Sequence, residues 1–230
     1  MKTLSFLLFG IFLANVSSLL SAQTIVKGRV IFDGTPPVPE KVEVKSDVPT
    51  CGSEKELQKI ILGSDNGVAN VVVKIMGAPG KPEPQTGNLN QENCEFLPHV
   101  QVLTLGSTLN ISSSDPVLHN SHGINEDGTT AFNIAVPFAG IEVPVTLEKA
   151  GIIHLRCDAG HTWMNGYIVV TDVPYYGLTD INGNFSIANV PAGNYEIEVW
   201  QEWLGSLRQT LVVQDGSSEP LTITLRENQS

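Results

Sequence analysis

Short runs of alternating apolar and polar residues, broken by glycine, proline and asparagine, fill this chain from Val26 to Leu225, and no long stretch keeps a helical period. Side chains on a strand point alternately to opposite faces, so such runs bury one face and wet the other. A chain made of them closes as stacked sheets, and the expected fold class is all-β, a sandwich or barrel. Strands are predicted at Val26–Phe32, Lys41–Lys45, Val71–Ile75, Gln101–Leu105, Thr108–Ser112, Glu142–Leu147, Ile152–Cys157 and Tyr167–Thr171. Four more follow at Phe185–Ile187, Tyr195–Trp200, Thr210–Val213 and Leu221–Leu225. Glu54–Leu62 has a faint helical period, and Gly77–Asn90, with Pro79, Gly80, Pro82 and Pro84, reads as a long loop.

The tail carries its own text. Thr179-Asp180-Ile181-Asn182-Gly183-Asn184-Phe185-Ser186-Ile187 leads to Val190-Pro191-Ala192-Gly193-Asn194-Tyr195-Glu196-Ile197-Glu198-Val199. This resembles the carboxypeptidase regulatory-like, transthyretin-like sandwiches, and Asn182-Gly183 fits a tight hairpin turn. The resemblance implies an opening strand such as Gly28-Arg29-Val30 and a second such as Val71-Val72-Val73. About a hundred residues separate that second strand from Asn182-Gly183. A second domain, residues 81–172, is therefore expected inside a discontinuous first one, residues 23–80 and 173–226. Two sandwiches in tandem, divided near Val173, are the alternative.

Lys2, an apolar run to about Leu20 and a small residue at Ala22 make residues 1–22 a secretory signal peptide in expectation, with no stop-transfer pattern after it. Loss of that segment, Lys2 included, takes the formal charge from −11 to −12. So acidic a chain is a poor ligand for nucleic acid or anionic membranes, and no stable membrane insertion is expected after cleavage. The expected location is exported, periplasmic or extracellular.

Export makes the cysteines informative. There are three, Cys51, Cys94 and Cys157, and an odd thiol in an oxidising compartment needs an assignment. Cys51-Gly52 and Asn93-Cys94-Glu95 both lie in polar, turn-like text suited to bridging each other. Pairing of Cys157 with either is the competing arrangement. Cys157 itself ends a strand, and a short loop then offers His161 and Met164 before the next strand leaves at Tyr167. With a remote His119, this is a set of two imidazoles, one thiolate and one thioether, soft and constrained enough for one mononuclear copper ion.

The segments Ser114-Asp115-Pro116-Val117-Leu118-His119-Asn120-Ser121-His122-Gly123 and Gly151-Ile152-Ile153-His154-Leu155-Arg156-Cys157-Asp158-Ala159-Gly160-His161-Thr162-Trp163-Met164 resemble the copper site of cupredoxins, amicyanin-like ones above all. The resemblance implies a Greek-key β-sandwich with a type 1 (blue) centre. In it His119, Cys157 and His161 are equatorial ligands, Met164 the axial one, and Asn120 a brace beside the thiolate. It also implies that Phe138, Ala139 and Gly140 through Leu147 supply the strand before the cysteine strand. Three residues, Asp158, Ala159 and Gly160, separate cysteine from histidine where amicyanin-type loops have two, and Gly160 is available to absorb the extra turn. With its regulatory-like tail, the whole chain resembles the methylamine utilisation protein-like group.

The other histidines read as bystanders. His122 points away from His119 on an extended segment, His154 faces opposite to Cys157, and His99 opens a strand. Trp163 is expected to pack beside the site, and Trp200 and Trp203 to be buried in the tail. Five histidines cannot furnish the additional cluster of a multicopper oxidase, and no Ser/His/Asp set, phosphate loop or carboxylate pair is present. The expectation is a one-electron carrier, not an enzyme, whose His161 ring edge meets a redox partner such as a c-type cytochrome. A copper carrier or store, and a cell-surface binding module without metal, are the alternative classes.

Overall fold

The computed structural model describes residues 24–216 and 219–227, and the expected signal peptide lies outside the described residues. The chain is all-β. Its strands are β1 (Thr24–Phe32), β2 (Glu40–Glu43), β3 (Glu54–Leu57), β4 (Val72–Met76), β5 (Thr86–Glu92), β6 (Glu95–Leu97), β7 (Val100–Thr104), β8 (Thr108–Ser113) and β9 (His119–Asn125). They continue as β10 (Thr130–Val136), β11 (Glu142–Thr146), β12 (Gly151–Arg156), β13 (Asn165–Thr171), β14 (Tyr176–Leu178), β15 (Asn184–Val190), β16 (Gly193–Gln201), β17 (Gly205–Val213) and β18 (Leu221–Leu225). One helical turn, α1 (Val48–Cys51), lies between β2 and β3.

Two sandwiches share this chain. The sheet β15-β1-β18 and the sheet β14-β4-β16-β17 enclose one core, with Val30, Phe32, Ile75, Phe185, Ile197 and Ile223 at its centre. Each such side chain, fully buried, contributes about 1.5–3 kcal/mol over its exposed state. The sheet β10-β9-β12-β13-β7 and the sheet β11-β8-β5-β6 enclose the other core, around Leu89, Phe96, Leu109, Ile111, Leu155 and Ile168. The nine strands of this second sandwich lie in the chain between β4 and β14. A small patch of Val72 and Trp200 against Val100 and Val169 joins the two sandwiches.

Polar strands account for most departures from expectation. β5 occupies part of the segment expected as loop: Leu89 and Gln91 point inward while Asn88 and Asn90 stay wetter, and β5 runs parallel to β8. β9 carries little apolar signal, yet it buries His119, Ser121 and Gly123 in strict alternation. Gly123 is required there, because a Cβ would lie 2.7 Å from the Phe132 ring and 2.9 Å from Ile153. The strand expected from Phe138 begins only at Glu142, and Phe138 is exposed. Asn182-Gly183 joins no hairpin, since β14 and β15 belong to different sheets; Gly183 alone takes a positive φ, and Asp180 accepts from the backbone N–H of Asn182 and Asn184.

The largest difference concerns residues 40–57. Glu54–Leu57 is a strand paired with β2, not a helix. Tertiary burial overrides the weak period: Val42, Val44, Cys51 and Leu57 all pack on the second core, although they belong in sequence to the segment expected for the first sandwich. The hairpin β2–α1–β3 therefore reaches across to the end of the second sandwich where β9, β12 and β13 meet the chemistry.

Candidate metal centre

His119 is the first residue of β9, held between β10 and β12 in the five-stranded sheet. Cys157 follows directly on β12, and the loop from Cys157 to Met164 returns the chain to β13. Gly160 takes φ +98 in that loop, a conformation that L side chains rarely adopt, and the Met164 N–H donates to the His161 carbonyl at 3.0 Å to close it. Opposite ends of a 42-residue separation thus meet: His119 Nδ1 lies 3.0 Å from His161 Nδ1, and Cys157 Sγ lies 3.7 Å from His161 Nδ1. One donor atom from each of His119, Cys157 and His161 falls within 4.8 Å of the others. Donors bound at ~2.0–2.3 Å to one metal ion stand roughly 3–4 Å apart, so the spacing fits.

Both imidazoles are held from behind. His119 Nε2 donates to Asp115 Oδ2 at 2.7 Å, and His161 Nε2 donates to Asp47 Oδ2 at 2.9 Å. An ionised carboxylate only accepts, so each ring carries its proton on Nε2 and turns an Nδ1 lone pair toward the other ring and the thiol. Burial holds the pKa of His119 below the ordinary histidine value, Asp115 opposes this, and the charge of His161 adds to it. Two lone pairs facing each other across 3.0 Å in a buried site repel unless a cation or proton lies between them. This is the arrangement a metal resolves.

The thiol is braced as well. The Asn120 N–H donates to Cys157 Sγ at 3.3 Å, the Asn120 amide donates to Asn133, and Asn120 Oδ1 accepts from the Asp158 N–H. Met164 is buried in the same core cluster as Cys157 and Trp163, and with Trp163 it lines a cleft of about 310 Å³ bordered by Lys55, Glu56, Glu95 and His99. The Trp163 ring lies 5.2 Å from the His161 ring and its Nε1–H donates to the Cys94 carbonyl. Cys51 and Cys94 form a disulfide whose sulfurs lie within 4.8 Å of a His161 nitrogen, and Cys157 is free and buried.

The remaining histidines lie elsewhere. His122 bonds Asp158 and Thr130, His154 stacks on Tyr167 at 4.9 Å, and His99 bonds Glu202 at 2.7 Å. One expectation is corrected: His161 does not present its edge to solvent but is 0 % exposed, its outer nitrogen capped by Asp47 from the β2–α1–β3 hairpin. Sequence reasoning passed over Asp47 and Asp115. Asp115 sits four residues before His119 in the quoted motif and was open to inspection; Asp47, 114 residues from His161, left no signal.

No family model matches the chain, and no curated protein does. Solved structures similar to part of it include a purple cupredoxin from Nitrosopumilus maritimus, 19 % identical over 37 % of this chain and 99 % of that one, with a TM-score of 0.32. A pseudoazurin from Sinorhizobium is 25 % identical over 39 % of this chain and 76 % of its own, with a TM-score of 0.31. An amicyanin from Paracoccus versutus is 13 % identical over 43 % and 97 %, with a TM-score of 0.33.

Proposed function

We propose that this chain is an exported, cupredoxin-like protein that holds one copper ion between His119, Cys157, His161 and Met164 and carries single electrons. The observation that supports the reading is the convergence of two Nδ1 atoms and one thiol in a buried pocket, with both remote nitrogens already committed to carboxylates. Copper bound there supplies a one-electron couple. The chain supplies rigidity. Asp47 and Asp115 fix the ring tautomers, Asn120 ties the thiolate to the His119 strand, and the sheet under His119 cannot shift without breaking its pairing with β10 and β12. Ligands that move little between two oxidation states suit electron transfer, and complete burial of both imidazoles suits retention of the metal more than its delivery.

The Cys51–Cys94 disulfide and the apolar N-terminal segment favour an oxidising, extracytoplasmic location. Among the described residues no helix is long and apolar enough to cross a membrane. A net charge of −11 favours a partner with a basic face, such as a c-type cytochrome. The test is the visible and electron-spin-resonance spectrum of the copper-loaded protein. An intense thiolate-to-copper band is expected, lost in Cys157→Ser and kept in His122→Ala; a colourless Cu(II) complex refutes the reading. A copper carrier would instead pass the metal rapidly to a competing apo-protein.

A further inference from the structure

We infer that Asp47 is the positioning residue for His161, through which the β2–α1–β3 hairpin sets the electronic character and closure of the centre in the second sandwich. The inference rests on the copper reading but has its own structural basis.

The hairpin's place is secured independently of Asp47. Cys51 is bonded to Cys94, Lys55 Nζ donates to the Asn93 carbonyl at 2.5 Å and to Glu95 at 2.8 Å, and Val44 is buried in the second core. The Asp47 backbone is fixed as well: its carbonyl accepts from the N–H groups of Thr50 and Cys51 at 2.8 and 2.9 Å. Its φ is +53, in the left-handed region where aspartate is among the better tolerated residues. From this fixed point the carboxylate reaches His161 Nε2, and among the described residues His161 is its only ion-pair partner. The asymmetry of the pair is informative. The imidazole is 0 % exposed and the carboxylate side chain 40 % exposed, so the carboxylate stands between the ring and water.

Three consequences follow from that position. The Nε2 proton is committed to Asp47, which leaves the Nδ1 lone pair aimed at His119 and Cys157. A negative charge behind the ring makes it a stronger donor, which favours the more oxidised metal. Finally, anything docking at this end of the sandwich meets a carboxylate where a bare imidazole edge was expected from the sequence.

The test uses the full chain with Asp47→Ala, Asp47→Asn and Asp47→Glu. In the metal-free protein, nitrogen-detected NMR of the histidine rings reports His161 as a single Nε2–H tautomer with a slowly exchanging proton. Asp47→Ala is expected to mix the tautomers and speed that exchange; Asp47→Asn keeps an oxygen acceptor and removes only the charge, so its reduction potential decides if the alanine variant fails to fold. With copper, competition against a chelator is expected to give a 10–100-fold loss of affinity in Asp47→Ala. The reduction potential rises in the alanine and asparagine variants, by about 59 mV for each tenfold by which Cu(II) binding weakens more than Cu(I) binding. Asp47→Glu restores part of both. Unchanged tautomer and unchanged potential in Asp47→Ala would overturn the inference. If the parent protein shows no thiolate band, the copper reading fails instead, and the metal-free NMR comparison still decides whether Asp47 positions His161.

Discussion

Asp115→Ala is the substitution whose cost the structure defines most closely. The carboxylate is 5 % exposed and accepts three hydrogen bonds, from His119 Nε2 at 2.7 Å and from the backbone N–H groups of Asn93 and Cys94 at 2.8 Å each. Removing it orphans three donors at once, two of them buried, on His119 and Cys94, and each unsatisfied buried donor costs about 1–3 kcal/mol before relaxation. Hydrogen bonds to a carboxylate contribute roughly 1.5–3 kcal/mol each, and with partial relaxation of the three a total loss of roughly 3–5 kcal/mol is expected. For a chain of this size that corresponds to a fall in Tm of roughly 6–20 °C. Asp115→Asn keeps one acceptor oxygen and places an NH2 group against donors, so about 2 kcal/mol is expected. Asp47→Ala is the control: the same kind of carboxylate–imidazole bond with a half-exposed carboxylate, worth under about 1 kcal/mol. The assay is urea and thermal unfolding of the metal-free proteins, followed by tryptophan fluorescence. If Asp115→Ala loses less than about 1 kcal/mol, or Asp47→Ala loses as much as Asp115→Ala, the argument from burial is refuted.

The Cys51–Cys94 disulfide closes a sequence separation of 43 residues, for which chain entropy gives a stabilisation of about 4 kcal/mol; the Cys51→Ser/Cys94→Ser pair should approach that loss in urea unfolding and release copper faster as the hairpin loosens. At the contact between the sandwiches, burial and then the charge and hydrogen bond of Glu202 push the Tyr167 hydroxyl up to about 12. The folded state therefore holds this proton more tightly than the unfolded chain, so its stabilisation is intact below pH 10 and is lost as pH rises through about 12. Allowing for partial exposure of the ring, the loss is about 2 kcal/mol at most, and Tyr167→Phe should remove it from the alkaline unfolding profile.

Where burial follows hydropathy, strands were legible. Val26–Phe32, Thr108–Ser112 and Tyr195–Trp200 all fall within observed strands, because apolar residues line the face turned to a core. β9 was not legible, since its inward residues are His119, Ser121 and Gly123, and a strand that buries a donor, a hydroxyl and a glycine shows no apolar alternation. The helical reading of Glu54–Leu62 failed because Glu54–Leu57 pairs with β2 and Leu57 packs on the second core, while Ile60 and Leu62 turn to the first.

For the candidate centre the division is sharper. The residue types and their order, an imidazole in one motif and a thiol, imidazole and thioether in another, are local text, and the chemistry of nitrogen and sulfur donors can be read from it without a fold. Whether those donors meet, and at 3.0 and 3.7 Å, is decided by sheet register, which places the end of β12 beside the start of β9. What lies behind the His161 ring is a tertiary fact entirely: Asp47 reaches it only because the β2–α1–β3 hairpin is stapled over the site by the Cys51–Cys94 disulfide. A hydrogen bond between residues 114 apart leaves no mark on the sequence near either one.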